Sequence, residues 1–121
     1  MFRNIILAGI GGAIGTMLRF TVYHYFRTGN FPLATLLINI AGSLVIGLVM
    51  GFALRNVGFD NNWRTFLATG ICGGFTTFSA FSLENFQMLQ HGKYLASLFY
   101  IFVSILAGII ATWTGYKIAT I

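Results

Sequence analysis

The sequence predicts an all-α membrane protein with four transmembrane helices, the third of which is broken near its middle. Of its 121 residues, 57% are hydrophobic and only 7% are charged, whereas a soluble domain carries about 25% charged residues. A helix needs about 20 apolar residues to cross a bilayer, and four such segments with short loops fill nearly the whole chain. The basic residues are scattered, so no patch for nucleic acid is expected.

The first predicted helix covers residues 4–26. Its glycines include Gly11 and Gly15, whose spacing allows another helix to approach closely. Arg19 lies toward the far end of this segment, and two interpretations remain open for it. The side chain is either an anchor at the membrane interface or a positive charge at the entrance of an anion path.

The second predicted helix covers residues 33–54 and contains no charged residue. Thr35, Asn39 and Ser43 recur at intervals of four residues, so they share one face of this helix. An amide in lipid is costly unless it forms hydrogen bonds. Asn39 therefore either joins two helices or offers its N–H groups to a permeating anion.

The third predicted helix, residues 65–89, contains the most unusual stretch of the chain, in which glycines are followed by hydroxyls and phenyl rings. Gly73 and Gly74 are poor residues for a helix interior, each costing about 1 kcal/mol relative to alanine, so we expect the helix to break there. Irregular backbone at membrane depth is tolerated only where it is buried in protein or lines a cavity. Discontinuous transmembrane helices commonly hold ions or substrates.

Three residues of this helix, Phe78, Phe81 and Glu84, recur at intervals of three and share a face. The two phenylalanines serve ordinary packing or present the positive edges of their rings to an anion. Glu84 lies either at a solvated helix end or in a wet vestibule, because acidic residues rarely lie deep in lipid.

The fourth predicted helix covers residues 94–116 and carries a stripe of hydroxyls. Ser97, Tyr100 and Ser104 are in register, and Thr112 extends the stripe approximately. Three such groups on an otherwise apolar helix indicate a lined path. Turns are predicted at residues 27–30 and 91–93, on either side of the second and third helices.

The basic residues divide almost evenly between the two sides of the predicted membrane domain. Four crossings place Arg3, Arg55, Arg64 and Lys117 on one side and Arg19, Arg27 and Lys93 on the other. An excess of basic residues on one side normally fixes the orientation of a membrane protein. Its near absence predicts that copies insert in both directions and pair as an antiparallel homodimer, which resembles an inverted repeat. One copy alone is too small to enclose a pore.

Four motifs together resemble the Fluc/CrcB family of fluoride channels. The pattern Gly-x-x-Gly-Gly-Phe-Thr-Thr-Phe-Ser-x-Phe-Ser-x-Glu, from Gly70 to Glu84, is similar to the signature of that family. Supporting motifs occur on the other helices: Gly15-x-x-Leu18-Arg19, Thr35-x-x-x-Asn39 with Gly42, and Tyr100-x-x-x-Ser104. The resemblance therefore extends over the full chain. Ala80 departs from the pattern, since relatives often carry threonine there.

The resemblance implies a fluoride-selective channel that mediates passive fluoride efflux across the prokaryotic inner (plasma) membrane. It implies a dual-topology homodimer with two antiparallel pathways and a structural sodium ion at the dimer interface, held by backbone carbonyls of Gly73 and Thr76. Phe78 and Phe81 would be the pore-lining rings. Further polar contacts to fluoride would come from Asn39, Thr77, Ser79, Ser82, Tyr100 and Ser104. Arg19 and Glu84 would belong to the vestibule.

Two other functions remain alternatives, and an enzyme is not expected. A small proton-coupled multidrug exporter would need an acid embedded in the membrane, and the first segment contains none. A non-transporting membrane subunit would explain the glycines as packing, but it leaves the helix break without a purpose. Cys72, His24, His91 and the two acidic residues are not spaced to form a nucleophile–base pair or a metal cluster.

Overall fold

In a computed structural model of the chain, residues 1–26, 31–56 and 58–121 are described. Four segments are long and apolar enough to cross a membrane: Phe2–Tyr25, Leu33–Arg55, Asn61–Gln90 and Tyr94–Ala119. The described residues contain no β-strand. The predicted all-α fold with four spanning helices is thus confirmed, and the protein is a multi-pass membrane protein. The turn predicted at residues 27–30 lies outside the described residues.

The four spans contain six α-helices and one π-helix. The first two spans are continuous helices, α1 (Phe2–Tyr25) and α2 (Leu33–Arg55). The third span is composed of α3 (Asn61–Arg64), a π-helix (Thr65–Cys72), α4 (Gly73–Phe75) and α5 (Phe78–Gln90). The fourth span is α6 (Tyr94–Ala119). The third span begins before the predicted residue 65 because the Asp60 side chain accepts a hydrogen bond from Asn62 N at 3.1 Å and caps α3.

The turn predicted at residues 91–93 is present and connects α5 to α6. Gly92 has a φ of 73°, a left-handed conformation that glycine adopts without strain. Its N–H donates to Leu89 O at 3.1 Å, and Lys93 N donates to Met88 O at 2.8 Å. These two bonds form a Schellman motif, which satisfies the last carbonyls of α5.

Close contacts between glycines and the backbone of a neighbouring helix hold the bundle together in two pairs. A Cβ added at Gly47 of α2 would meet Thr112 O, and one at Gly115 of α6 would meet Leu44 O. On α1, a Cβ at Gly15 would meet Ile71 O of the third span. Backbone thus touches backbone, as small residues allow in membrane bundles. α2 packs on α6, and α1 packs on the first half of the third span.

The break in the third span is confirmed, but it lies three residues later than predicted. Thr76 and Thr77 are extended, with φ and ψ of −81° and 159° and of −152° and 117°. Gly73 is helical, with φ −63° and ψ −38°. Gly74 is helical as well, and a Cβ there would meet Gly12 O and lie 2.9 Å from Gly12 Cα. The glycines therefore serve close packing against α1, and the two threonines form the break.

Candidate functional site

Asn39 of α2 holds the broken backbone of the third span. Its Nδ2 donates to Thr77 O at 3.2 Å, and its Oδ1 accepts from Thr77 N at 2.9 Å. In a continuous helix Thr77 N would donate to Gly73 O. The Asn39 side chain thus joins α2 to the break, which was one of its two open interpretations. The amide carries two N–H groups, so a second N–H is left for another acceptor.

The two threonines of the break use their hydroxyls in different ways. Thr77 Oγ1 accepts from Ala80 N at 3.1 Å and is 3.1 Å from Ser79 Oγ, so Thr77 caps the start of α5. Thr76 Oγ1 donates back to Cys72 O at 2.9 Å. Thr76 therefore ends α4, and Thr77 begins α5.

Arg19 binds the end of the helix that precedes the break. Its Nε donates to Gly74 O at 3.0 Å. In a continuous helix this oxygen would accept from Phe78 N. A positive charge is favourable at the C-terminal end of a helix because that end carries partial negative charge. Arg19 thus joins α1 to the break and is not a simple interfacial anchor.

A groove of about 410 Å³ lies beside the break. Its lining includes seven of the predicted site residues: Asn39, Gly73, Thr76, Thr77, Phe78, Phe81 and Ser104. The hydroxyl oxygen of Ser104 is buried and has no hydrogen-bond partner anywhere in the described part of the chain. A buried hydroxyl without a partner costs free energy. The groove therefore contains polar groups that can still bind an ion or water.

The predicted aromatic residues form a continuous row that begins in the groove with Phe78 and Phe81. The ring centroids of Phe78 and Phe81 are 5.7 Å apart, and those of Phe81 and Tyr100 are 5.0 Å apart. Phe78 is 78% exposed, whereas Tyr100 is fully buried. The row thus leads from the surface of the chain into its interior.

Glu84 contacts the buried end of this row, at Tyr100, and accepts two hydrogen bonds from other helices. Tyr100 Oη donates to Glu84 Oε1 at 2.9 Å, and Thr35 Oγ1 donates to Glu84 Oε2 at 2.7 Å. The interpretation of Glu84 as a solvated helix end is therefore wrong. Glu84 also lines a second cavity of about 180 Å³, together with His91 and Lys93. The carboxylate thus lies between an outer cavity and the aromatic row.

The remaining predicted site residues, Ser79 and Ser82, lie exposed on α5. The hydroxyl stripe of α6 divides among different partners. Ser97 Oγ donates to Asn85 Oδ1 at 2.8 Å and does not face the groove lining. Asn85 Nδ2 in turn donates to Phe81 O at 2.9 Å. The sequence motifs do not include Asn85, although it follows Phe81 by four residues on the same helical face.

Fold and site together define a polytopic α-helical membrane protein with an interrupted helix beside a polar groove, an arrangement typical of ion and solute transport. More particularly, the chain belongs to the CrcB family. The family described as "CrcB-like protein, Camphor Resistance (CrcB)" matches residues 6–116. The resemblance seen in the sequence motifs is thus confirmed.

Similar proteins that carry the description "Fluoride-specific ion channel FluC" match nearly the whole chain. The one from Azobacteroides pseudotrichonymphae is 46% identical over 119 residues, covering 96% of this chain and 95% of its own. The one from Flavobacterium psychrophilum is 43% identical over 121 residues, covering 97% of each chain. A third, from Methylobacterium nodulans, is 48% identical over 109 residues, covering 88% and 87%.

Proposed function

We propose that this protein is a fluoride-selective channel that lets fluoride leave the cell passively. The observation that carries the proposal is the groove beside the helix break, where Ser104 Oγ is buried and has no hydrogen-bond partner among residues 1–26, 31–56 and 58–121. The description shared by the relatives supplies the identity of the ion. No proton-coupled step is part of the proposal, because the relatives are described as ion channels.

The groups along the groove suit a small anion that holds its water tightly. Such an ion passes only where hydrogen-bond donors replace its hydration shell, and where binding remains weak enough for release. Ser104 and the second N–H of Asn39 offer neutral donors, and the edges of Phe78 and Phe81 offer weak positive charge. A fixed ammonium group would hold the anion too firmly for rapid exit.

A second copy of the chain completes the pathway in this proposal. Phe78 is 78% exposed, Gly73 lies exposed before the break, and Ser79 and Ser82 lie exposed after it. Polar groups facing hydrocarbon are costly, so another protein surface is needed to cover them. The even division of basic residues supports an antiparallel partner. A two-fold axis in the membrane plane then produces two pathways of opposite direction.

The same interface would hold a structural sodium ion on the backbone carbonyls of Gly73 and Thr76. In a continuous helix these oxygens would accept from Thr77 N and Ala80 N. Those two N–H groups donate instead to Asn39 Oδ1 and Thr77 Oγ1. Carbonyl oxygens freed in this way are suitable ligands for a hard monovalent cation. Bound there, sodium would supply a fixed positive charge that links the two copies.

Fluoride efflux from proteoliposomes, followed with a fluoride electrode, tests the channel. We expect the unmodified protein to release fluoride without a pH gradient, and Phe81→Ile to reduce the release to background. Phe102→Ile is the matched control, because Phe102 is 63% exposed on α6 and does not line the groove. Proton-coupled export of organic cations would instead identify an exporter, and inactivity toward both substrates would identify a non-transporting subunit.

Two further experiments test the assembly. Reporter proteins fused after Ile121 should give signals from both sides of the membrane, and a signal from one side only would contradict the antiparallel dimer. Protein purified without sodium should lose fluoride efflux and regain it when sodium is added. Efflux that is independent of sodium throughout purification would contradict the sodium site.

A further inference from the structure

The hydroxyl of Tyr23, on α1, lies at the end of a chain of hydrogen bonds that reaches Glu84. Tyr23 Oη is 2.7 Å from Thr35 Oγ1, and Thr35 Oγ1 is 2.7 Å from Glu84 Oε2. Tyr100 Oη donates to the other carboxylate oxygen, Glu84 Oε1, at 2.9 Å. Thr35 and Tyr100 are both fully buried. Each link of the chain is thus short, and its middle is shielded from water.

The direction of this chain follows from the number of hydrogen atoms. An ionised carboxylate only accepts hydrogen bonds, and a threonine hydroxyl has a single hydrogen. The Thr35 hydrogen is used for Glu84, so the hydrogen between Tyr23 and Thr35 belongs to Tyr23. Tyr23 therefore donates to Thr35, and Thr35 donates to Glu84. In a low-dielectric interior each bond of such a chain strengthens the next.

The position of Tyr23 on α1 explains how its hydroxyl connects to the third span through Thr35. Tyr23 follows Arg19 by four residues, so both side chains leave the same face of α1. Arg19 binds Gly74 O at the end of α4. Among the described residues, the Tyr23–Thr35 contact is the one side-chain hydrogen bond between α1 and α2. α1 thus holds the two sides of the break, directly through Arg19 and indirectly through Thr35.

We propose that Tyr23 is a positioning residue of the ion pathway. Its hydroxyl holds the Thr35 hydroxyl in the one orientation that donates to Glu84, and thereby fixes the carboxylate beside Tyr100 and the aromatic row. This role rests on the proposed function where fluoride transport is concerned. The contact between Tyr23 and Glu84 through Thr35 is independent of which ion passes.

A spectroscopic test uses the fact that Glu84 is the only glutamate in the sequence. Growth on glutamate labelled with ¹³C at the side-chain carboxyl, without metabolic scrambling, places one labelled carboxylate in the protein. We expect its infrared stretching band to shift in Tyr23→Phe and in Thr35→Val. Tyr25→Phe is the matched control, since Tyr25 lies on the same helix and is 74% exposed. An unchanged band in Tyr23→Phe would overturn the proposal.

Fluoride efflux rates provide the functional test in a double-mutant cycle. Loss of a hydrogen bond worth about 1 kcal/mol corresponds to a roughly fivefold change in rate, so Tyr23→Phe should slow efflux by about that factor. Because Tyr23 acts through Thr35, the double variant should be no slower than Thr35→Val alone. Multiplicative losses would show that Tyr23 acts by another route and would overturn the proposal.

The two tests separate this role from the proposed function. If the unmodified protein releases no fluoride while the Glu84 band still shifts in Tyr23→Phe, the channel function fails and the contact to Glu84 stands. If fluoride passes normally through Tyr23→Phe and the band does not move, Tyr23 has no positioning role and the channel function stands.

Discussion

The two halves of the third span pack against their neighbours in different ways. The first half, Asn61–Phe75, touches α1 backbone to backbone: a Cβ at Gly70 would lie 2.9 Å from Gly11 Cα. The second half, α5, is held by side-chain hydrogen bonds to α2 and α6. Asn85 accepts from Ser97, and Glu84 accepts from Thr35 and Tyr100. One span thus combines a rigid backbone contact with a polar network.

This difference indicates how the break is positioned. Backbone contacts leave no side chain that could move aside, so they fix the end of α4 at Gly74. Hydrogen bonds to the side chains of α5 can be exchanged for bonds to an ion or water, so they suit the part of the span that faces the proposed pathway. Thr76 and Thr77 lie at the boundary, where Asn39 secures the backbone.

The largest expected effect comes from adding a methyl group to the backbone contact. Gly74→Ala should destabilise the protein by more than about 3 kcal/mol, at or beyond the upper end of ordinary overpacking, because the new Cβ would meet Gly12 O and no side chain can yield. Thermal unfolding in detergent, followed by size-exclusion chromatography, measures the loss. Gly9→Ala is the control on α1, since nothing lies within 4 Å of its added Cβ. Equal stability of both variants would contradict the rigid contact.

The next largest effect is expected at the boundary between the halves. Asn39→Ala removes both hydrogen bonds to the Thr77 backbone. Each unsatisfied backbone group costs about 1–3 kcal/mol when it is buried. Because Thr77 lines the groove, where water can reach its backbone, we take the lower part of that range for the two groups. We therefore expect a total loss of about 2–3 kcal/mol and fluoride efflux at background. If Asn39→Ala unfolds at the temperature of the unmodified protein, the amide does not hold the break.

The comparison between the halves also explains which features could be predicted from the sequence. Helix spans follow from hydrophobic length, and close approach at Gly11 and Gly15 follows from their spacing. Helix propensity is a local quantity, so it predicts the break at Gly73 and Gly74. Contact with Gly12 is a property of the packed bundle, so it is not visible in the local sequence.

The polar network was harder to predict for a related reason. The bond between Ser97 and Asn85 joins two spans, and the bond between Tyr23 and Thr35 joins two others. Sequence periodicity shows which residues share a face of one helix, but it does not show which face meets which. The π-helix at Thr65–Cys72 is not predicted by the sequence either, because an i→i+5 register has no strong compositional signal.

Smaller effects are expected from substituting two serines of α6, one of which should change mainly stability and the other mainly fluoride efflux. Ser97→Ala leaves Asn85 Oδ1 without its donor, so it should lower stability by about 1–2 kcal/mol and leave fluoride efflux largely unchanged. Ser104→Ala removes a hydroxyl that has no partner in the described residues, so it should leave stability unchanged and slow efflux. Unfolding temperature and efflux rate, measured on both variants, test this reciprocal pattern. The same effect of both substitutions on both measurements would contradict it.

The smallest effect is expected at Thr112, which extended the predicted hydroxyl stripe of α6. Its Oγ1 donates to Gly108 O of its own helix at 3.1 Å and is exposed. Such an intrahelical bond contributes little to helix stability, and Thr112 does not line the groove at the break. Thr112→Ala should therefore change stability by less than about 0.5 kcal/mol, as surface substitutions usually do, and leave the fluoride efflux rate equal to that of the unmodified protein. A marked loss of efflux in Thr112→Ala would contradict this expectation. It would show that the proposed pathway continues along α6 beyond Ser104 and is not confined to the surroundings of α5.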